Sequence, residues 1–359
     1  MNSNGFEIIG VSSSGTEMAD VERDEGIRTI IVEMSRRITP VNDFKSLIKL
    51  YRLIKKEKPE IVHSHTPKAG LLAMMAARAA GVKIRLHTVA GLPLMEATGS
   101  TRKLLESVEK LVYLCSTKVY PNSKGLYDFI VQNKFTKTSK LKVIGNGSSN
   151  GIDTAHFNPA NVSEEKKVSL KNSLEISESD FVFVFVGRMV GDKGINELVE
   201  AFINLKSKFK QAKLLLVGPF EEELDPLKPK TIQTIESTPE ILFVDFQPDV
   251  RPYFAISDCL AFPSYREGFP NVVMQAGAMG LPSIVSDING CNEIIEEGQN
   301  GLIIPAKNVA ELENAMVRMI SDSELFHKTK SNSRTMICER FEQKVVWEAL
   351  LKEYRDLLK

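Results

Sequence analysis

The sequence predicts an α/β protein built from two doubly wound, Rossmann-like domains. Three observations point there. Short apolar runs alternate with helix-patterned segments along the whole chain, the mark of parallel sheets covered by helices. A Gly/Ser/Asn-rich stretch, residues 145–151, interrupts that alternation and reads as a hinge or linker. The length, 359 residues, suits two cores better than one, because domains hold ~100–200 residues.

In the first half, strands are expected at Phe6–Val11, Ile27–Glu33, Ile61–Ser64, Ile84–Thr88, Lys118–Tyr120 and Leu141–Ile144. Helices fall between them at Asn42–Glu57, Pro67–Ala80 and Thr101–Ser116. After the linker the pattern restarts with strands at Phe181–Val186, Lys213–Val217, Ile241–Val244, Cys259–Phe262 and Ser283–Val285, each followed by a turn and a helix. An amphipathic helix, Gln343–Leu358, closes the chain. The expected domains are residues 1–150 and 151–340, with 341–359 packing back toward the first. Ligand is expected between the domains, at the carboxyl ends of their strands.

The beginning breaks the rule for such folds. A doubly wound domain opens with a central strand, a glycine turn and a helix. Here four polar residues and Gly5 lead straight into Phe6-Glu7-Ile8-Ile9. The first domain therefore reads as lacking its first strand and helix, a βαβ unit being ~30 residues or more. An open sheet without its central strand leaves ladder groups unpaired at ~1–3 kcal/mol each where buried.

Composition narrows the function classes. With 43% hydrophobic and 26% charged residues the chain has ordinary globular composition, and no apolar run approaches the ~18 residues that span a bilayer. The start has neither the basic nor the apolar region of a secretory signal. Cys115, Cys259, Cys291 and Cys338 are scattered without metal-ligand spacing, which points to free thiols, a reducing cytoplasmic setting and no metal site. Net charge is zero, yet residues 1–150 carry 23 Lys and Arg against 14 Asp and Glu, and the remainder carries the opposite bias. The basic half is expected to face an anionic partner, such as a membrane surface or a pyrophosphate-linked lipid. Lys45, Lys49, Arg52, Lys55, Lys56 and Lys58 lie on or beside one helix and fit that role or a plain solvated face. Nucleic acid is not expected, since basic and aromatic residues form no recognisable binding module.

Two motifs carry chemistry. Strand Phe181–Val186 runs into Gly187-Arg188-Met189-Val190-Gly191-Asp192-Lys193-Gly194 and then a helix. A strand end that opens into a helix start presents free amides to an anion. Arg188 adds a bidentate phosphate ligand and Lys193 a point charge. Downstream, strand Cys259–Phe262 feeds a loop with Glu267, Gly268 and Phe269, and then a helix with Pro270 at its first position. Glu267 can accept hydrogen bonds from sugar hydroxyls, the amides around Phe269 to Val272 can meet a diphosphate, and Gln275 lies one to two turns into the helix. In the first half, His87 follows strand Ile84–Leu86, and His63 and His65 flank Ser64, expected on opposite faces of their strand.

These segments together resemble the family 4 retaining glycosyltransferases of GT-B fold. The match rests on GRxxxxKG at Gly187–Gly194, the loop-helix motif at 267–275, and Gly151-Ile152-Asp153-Thr154-Ala155-His156-Phe157. Val62 to Gly70, His87 to Gly91 and Tyr120 to Ser123 extend it from Phe6 to the C-terminus. It is closest to bacterial enzymes that extend lipid-linked capsule, O-antigen or N-glycan precursors. The resemblance implies a UDP-sugar donor, no metal, and a lipid-linked or saccharide acceptor. It assigns Arg188 and Lys193, with Gly187, to the diphosphate, Glu267 to the donor sugar, and Phe269, Pro270 and Asn271 to phosphate or sugar. The second acid of the motif, which binds ribose, is replaced here by Gln275. Phe246 and Gln247 become candidates for the base pocket, His87 for the donor-sugar side and His65 for the acceptor side. With the family's first glycine turn missing, donor affinity with slow transfer is expected. Two alternatives share the architecture: a UDP-sugar 2-epimerase-like isomerase, and a non-catalytic UDP-sugar-binding protein.

Overall fold

The computed structural model describes residues 1–15, 17–35, 39–95, 97–221 and 225–359. The chain divides into two compact units, Met1–Gly145 with Glu348–Lys359 (unit 1) and Asn146–Trp347 (unit 2). Around the first crossing, Gly145, Gly147, Ser148 and Gly151 take φ of 57°, 94°, 67° and 67°. That left-handed backbone suits Gly and ends the preceding element.

Unit 1 runs β1 (Ile9–Ser12), α1 (Glu17–Glu25), β2 (Arg28–Ile31), α2 (Pro40–Glu57), β3 (Ile61–Ser64), α3 (Pro67–Ala80), β4 (Ile84–Val89), α4 (Gly99–Cys115), β5 (Lys118–Pro121) and α5 (Lys124–Gln132). Among the described residues all its strand pairs are parallel, but they form two sheets, β1–β2 and β3–β4–β5. Pro40 opens α2, whose Asp43 accepts from the Thr39 amide at 3.0 Å, and left-handed Lys58 closes it. Ser46, Leu50 and Ile54, four apart, form its buried stripe, and Leu50 and Ile54 cluster with Leu72, Ala76 and Ala77 of α3. The first strand starts at Ile9, later than expected, and Leu141–Ile144 is no strand. Leu141 makes one bridge to Val119, after which the left-handed glycines turn the chain away.

Unit 2 runs α6 (Glu164–Ser173), β6 (Phe181–Val186), α7 (Ile195–Lys208), β7 (Ala212–Val217), α8 (Pro229–Ser237), β8 (Ile241–Val244), α9 (Arg251–Ala255), β9 (Cys259–Phe262), α10 (Asn271–Ala278), β10 (Ser283–Ser286), α11 (Cys291–Ile294), β11 (Gly301–Ile304), α12 (Val309–Ser321), α13 (Ser323–Phe341) and α14 (Gln343–Leu358), whose last residues belong to unit 1. Among the described residues six parallel strands lie in the order β11-β10-β9-β6-β7-β8. This is the doubly wound order, with the first strand of the unit in the middle. The run Phe181–Val186 is apolar throughout because a central parallel strand is covered on both faces, and Val182 to Phe185 are fully buried. Strand β11 went unread in the sequence, being four residues between Gly and Pro at the sheet edge.

Candidate functional site

Strand order reverses between β6 and β9, which are neighbours in the sheet. Ligands of open α/β sheets bind outside the carboxyl ends of the strands at such a switch point. The two sequence motifs are the loops that leave those two ends.

The first loop is shaped by glycine. Gly187 (φ 154°) turns the chain off β6, a 3₁₀ turn covers Gly191–Lys193, and Gly194 (φ 73°) starts α7. A Cβ on Gly194 would overlap the Pro263 carbonyl, so the loop after β9 rests directly on this one. The contact continues through the Tyr265 amide, which donates to the Asp192 carbonyl at 2.8 Å, and through Arg266, whose Nη2 donates to Asp192 Oδ2 at 2.8 Å.

This packing brings Lys193 and Glu267 together as an ion pair. Both side chains are mostly enclosed, at 17% and 15% exposure, so the pair is screened less than a surface pair. Ser264 Oγ donates to Glu267 Oε1 at 2.9 Å, and the Lys193 ammonium lies 5.7 Å from the Phe262 ring centre. Asn289 Nδ2 donates to the Glu267 and Gly268 carbonyls at 3.1 and 2.6 Å and fixes the loop from the turn after β10. The structure places Arg188 on the same first loop but pairs it with Glu221, beyond β7, with its side chain half exposed. Lys193 and Glu267 are thus joined, and Arg188 holds a different partner.

The other expected residues divide. Pro270 is the N-cap of α10 and not its first residue; it has no side-chain acceptor, so the first-turn amides from exposed Asn271 onward have no intrahelical partner. The Phe269 ring packs on Phe341 at 5.3 Å, inside the core, leaving only its backbone for a ligand. Gln275 is half buried one turn into α10, Phe246 is exposed after β8, and Gln247 is half buried. Sequence reading missed Glu221, Ser264 and Asn289. Ser264 lies three residues before Glu267 and Asn289 opens an Asn-Gly turn, the only signals either gave.

In unit 1 the histidines cluster. His63 and His65 stack with ring centres 4.2 Å apart, so they share a face. The expectation of opposite faces fails because residues two apart on a strand point the same way. His63 shares hydrogen bonds with Tyr354 Oη (2.5 Å) and Thr88 Oγ1 (2.7 Å). His87 is buried in β4, bonded through Nδ1 to Ser64 Oγ at 2.8 Å and packed so tightly on Gly70 that a Cβ there would strike its ring. Burial pushes His87 down to about 4, aided by nearby His65, and pushes His63 well below the ordinary range. His65 is exposed as a residue, yet its stacked ring loses water on one side, and its value falls too.

These shifts set a pH dependence. The unfolded chain protonates its imidazoles near 6.5, above the folded value for His87, so stability is full above that pH. It is lost as pH falls toward 4, by on the order of 3 kcal/mol for His87. Urea unfolding at pH 7 and pH 5 should show His87→Asn with the smaller acid loss, by ~2 kcal/mol. Equal losses in both proteins would contradict the assignment.

Known proteins are similar to this chain along most of its length. The family model described as glycosyl transferases group 1 matches residues 166–336, and a glycosyl transferase 4-like model matches residues 1–123. The capsular polysaccharide biosynthesis glycosyltransferase CapM of Staphylococcus aureus is 32% identical over 349 residues, which cover 97% of this chain and 90% of CapM. The UDP-Gal:alpha-D-GlcNAc-diphosphoundecaprenol alpha-1,3-galactosyltransferase of Escherichia coli is 30% identical over 322 residues, covering 89% and 81%. Among solved structures, Anabaena HepE in complex with UDP superposes with a TM-score of 0.83 at 18% identity, covering 99% of this chain and 94% of that one, a likeness of fold. With the doubly wound order of unit 2, the paired motifs at its switch point and a named transferase matched along almost its whole length, this chain belongs to the group 1 glycosyltransferases of GT-B fold.

Proposed function

We propose that the chain moves a hexose or N-acetylhexosamine from a UDP-sugar to a lipid-linked saccharide, with retention at the anomeric carbon, in bacterial surface-polysaccharide synthesis. The observation that carries this is the enclosed Lys193–Glu267 pair at the switch point of unit 2. A departing nucleoside diphosphate gains negative charge as the sugar acquires oxocarbenium character, so fixed cations aimed at it lower the barrier. Lys193 and Arg188 supply that charge, and the amides of Phe269 and Asn271, beside Gly187 and Pro270, hold phosphate oxygens. Glu267, oriented by Ser264, accepts from donor-sugar hydroxyls and is kept from repelling the diphosphate by its own cation. Gln275 takes the ribose, with Phe246 and Gln247 toward the base. In unit 1, His87 serves the donor-sugar side as a neutral group, and His65 the acceptor side.

The E. coli relative is named for a diphosphoundecaprenol substrate. Helix α2 suits an enzyme working at a lipid surface: Val41 (70% exposed), Phe44 (62% exposed), Lys45, Arg52 and Lys55 recur at helical spacing on its outside. Peripheral contact with the inner face of the plasma membrane follows, and no helix among the described residues is long and apolar enough to cross it.

Gln275→Glu should bind UDP ~5-fold more tightly, because a charge-assisted bond to ribose gains ~1 kcal/mol over the amide. Calorimetry with UDP reads this directly, and unchanged or weaker binding would remove Gln275 from the ribose. Transfer itself is tested by incubating the chain with UDP-glucose, UDP-galactose or UDP-N-acetylglucosamine and an undecaprenyl-diphosphate saccharide. An extended lipid product and free UDP are expected; epimerised donor without acceptor, or binding with no product from any donor, would overturn the proposal.

A further inference from the structure

Arg188 and Glu221 form an ion pair across the carboxyl ends of β6 and β7, with 49% and 29% of the two side chains exposed. Backbone bonds lace the segment that carries Glu221 to the Arg188 loop. The Met189 amide donates to the Pro219 carbonyl at 2.8 Å, and the Gly191 amide donates to the Asp225 carbonyl at 3.0 Å. The Asp192 amide donates to Asp225 Oδ2 at 2.6 Å. At the root of the segment a Cβ on Gly218 would overlap the Gly187 carbonyl, so the two turns touch directly. Asp225 is held at φ 90°, left-handed backbone that an L-residue keeps only where its surroundings fix it. Glu221 is therefore anchored beside Arg188 on both sides along the chain.

A pair this exposed adds little to stability. Its place at the site matters more. Both cations of the loop Gly187–Gly194 already face a carboxylate, Lys193 that of Glu267 and Arg188 that of Glu221. A diphosphate that reaches this loop has to share Arg188 with a carboxylate that stays at hand. The resulting repulsion grows with the charge of the ligand. A UDP-sugar carries two negative charges. When the anomeric C–O bond breaks, its electron pair stays on the terminal phosphate and the proton of the acceptor hydroxyl passes to solvent. UDP then leaves with about three negative charges, the second ionisation of a terminal phosphate lying near pH 6. A fixed carboxylate beside Arg188 thus opposes the product more than the donor.

We propose, on the donor reading given above, that Glu221 acts through Arg188 as a release element, lowering the affinity for UDP more than that for UDP-sugar and so speeding departure of the product. In this role Glu221 needs no contact with the sugar or the reacting atoms. It sets how much of the Arg188 charge the diphosphate receives. Glu267 differs, because its mostly enclosed carboxylate is oriented by Ser264 toward a hydrogen-bonding role.

Calorimetry on the full chain tests this, with UDP and with the tightest-binding of UDP-glucose, UDP-galactose and UDP-N-acetylglucosamine. At pH 7, Glu221→Gln should bind UDP ~10-fold more tightly and the UDP-sugar only ~3-fold more tightly, so the preference for UDP rises ~3-fold. Glu221→Asp keeps the charge and should return most of the original preference, which the loss of a merely structural contact would not do. At pH 5.5, below the second phosphate ionisation, the two ligands should gain alike from Glu221→Gln. Equal changes for both ligands at pH 7, or weaker UDP binding by Glu221→Gln, would overturn the proposal and leave the donor reading standing. An unaltered chain that binds neither UDP nor a UDP-sugar would overturn both.

Discussion

Lys193→Ala is expected to cut kcat/KM for transfer by ~10²–10³-fold, the cost of ~3–4 kcal/mol typical when one fixed donor to developing charge is removed. Two effects add. Under the proposed function the ammonium no longer meets the leaving diphosphate, and Glu267, mostly enclosed, loses its cation. Restoring charge with Lys193→Arg should recover little, because the ammonium fits as a compact point charge near the Phe262 ring and the planar guanidinium fork does not. The pair also makes a specific claim about coupling. Lys193→Ala combined with Glu267→Gln should cost clearly less than the sum of the single changes, since the second removes the repulsion the first exposes. Steady-state kinetics on the three proteins reads this, and strict additivity would show that the two groups act separately.

Gly194→Ala is expected to destabilise unit 2 by ~2–5 kcal/mol. A left-handed backbone costs an L-residue ~1–2 kcal/mol, and forcing an atom against packed structure costs ~1–3 more. At Gly194 both apply: φ is 73°, and the added Cβ would overlap the Pro263 carbonyl. Gly280→Ala is the control, because φ is 84° there and nothing lies within 4 Å of the added Cβ. Thermal unfolding should therefore show a Tm loss of ~5–15 °C for Gly194→Ala and only a few degrees for Gly280→Ala. Gly194→Ala should also weaken UDP binding, because the displaced loop carries Lys193. Equal Tm losses in the two variants would mean that strain alone matters and that the two loops do not rest on each other.

Much of the fold was legible because its strongest signals are local. The apolar run Phe181–Val186 and the helices Pro67–Ala80 and Gln343–Leu358 fall where pattern and end residues put them. That β1–β2 and β3–β4–β5 stay two separate sheets among the described residues was not legible, since strand pairing depends on residues far apart in the chain. Harder were features decided by distant partners. Leu141–Ile144 has strand composition, but the glycines after it end its pairing after one bridge. Phe269 lies in the loop-helix motif by position, yet its ring goes to the core because Phe341, 72 residues away, is there to receive it. Arg188 was readable as a phosphate ligand, and its partner Glu221 was not, since adjacency of β6 and β7 alone brings them together. The Lys193–Glu267 contact was implied by chemistry, but only the order of β6 and β9 in the sheet makes it.

The central claim is that cations at the switch point of unit 2 hold a diphosphate. Calorimetry comparing UDP with uridine measures that contribution alone. In the unaltered chain UDP should bind far more tightly than uridine, and in the Arg188→Ala, Lys193→Ala double variant the advantage should largely vanish while uridine binding persists. A UDP preference that survives the double change would place the diphosphate elsewhere and contradict the assignment.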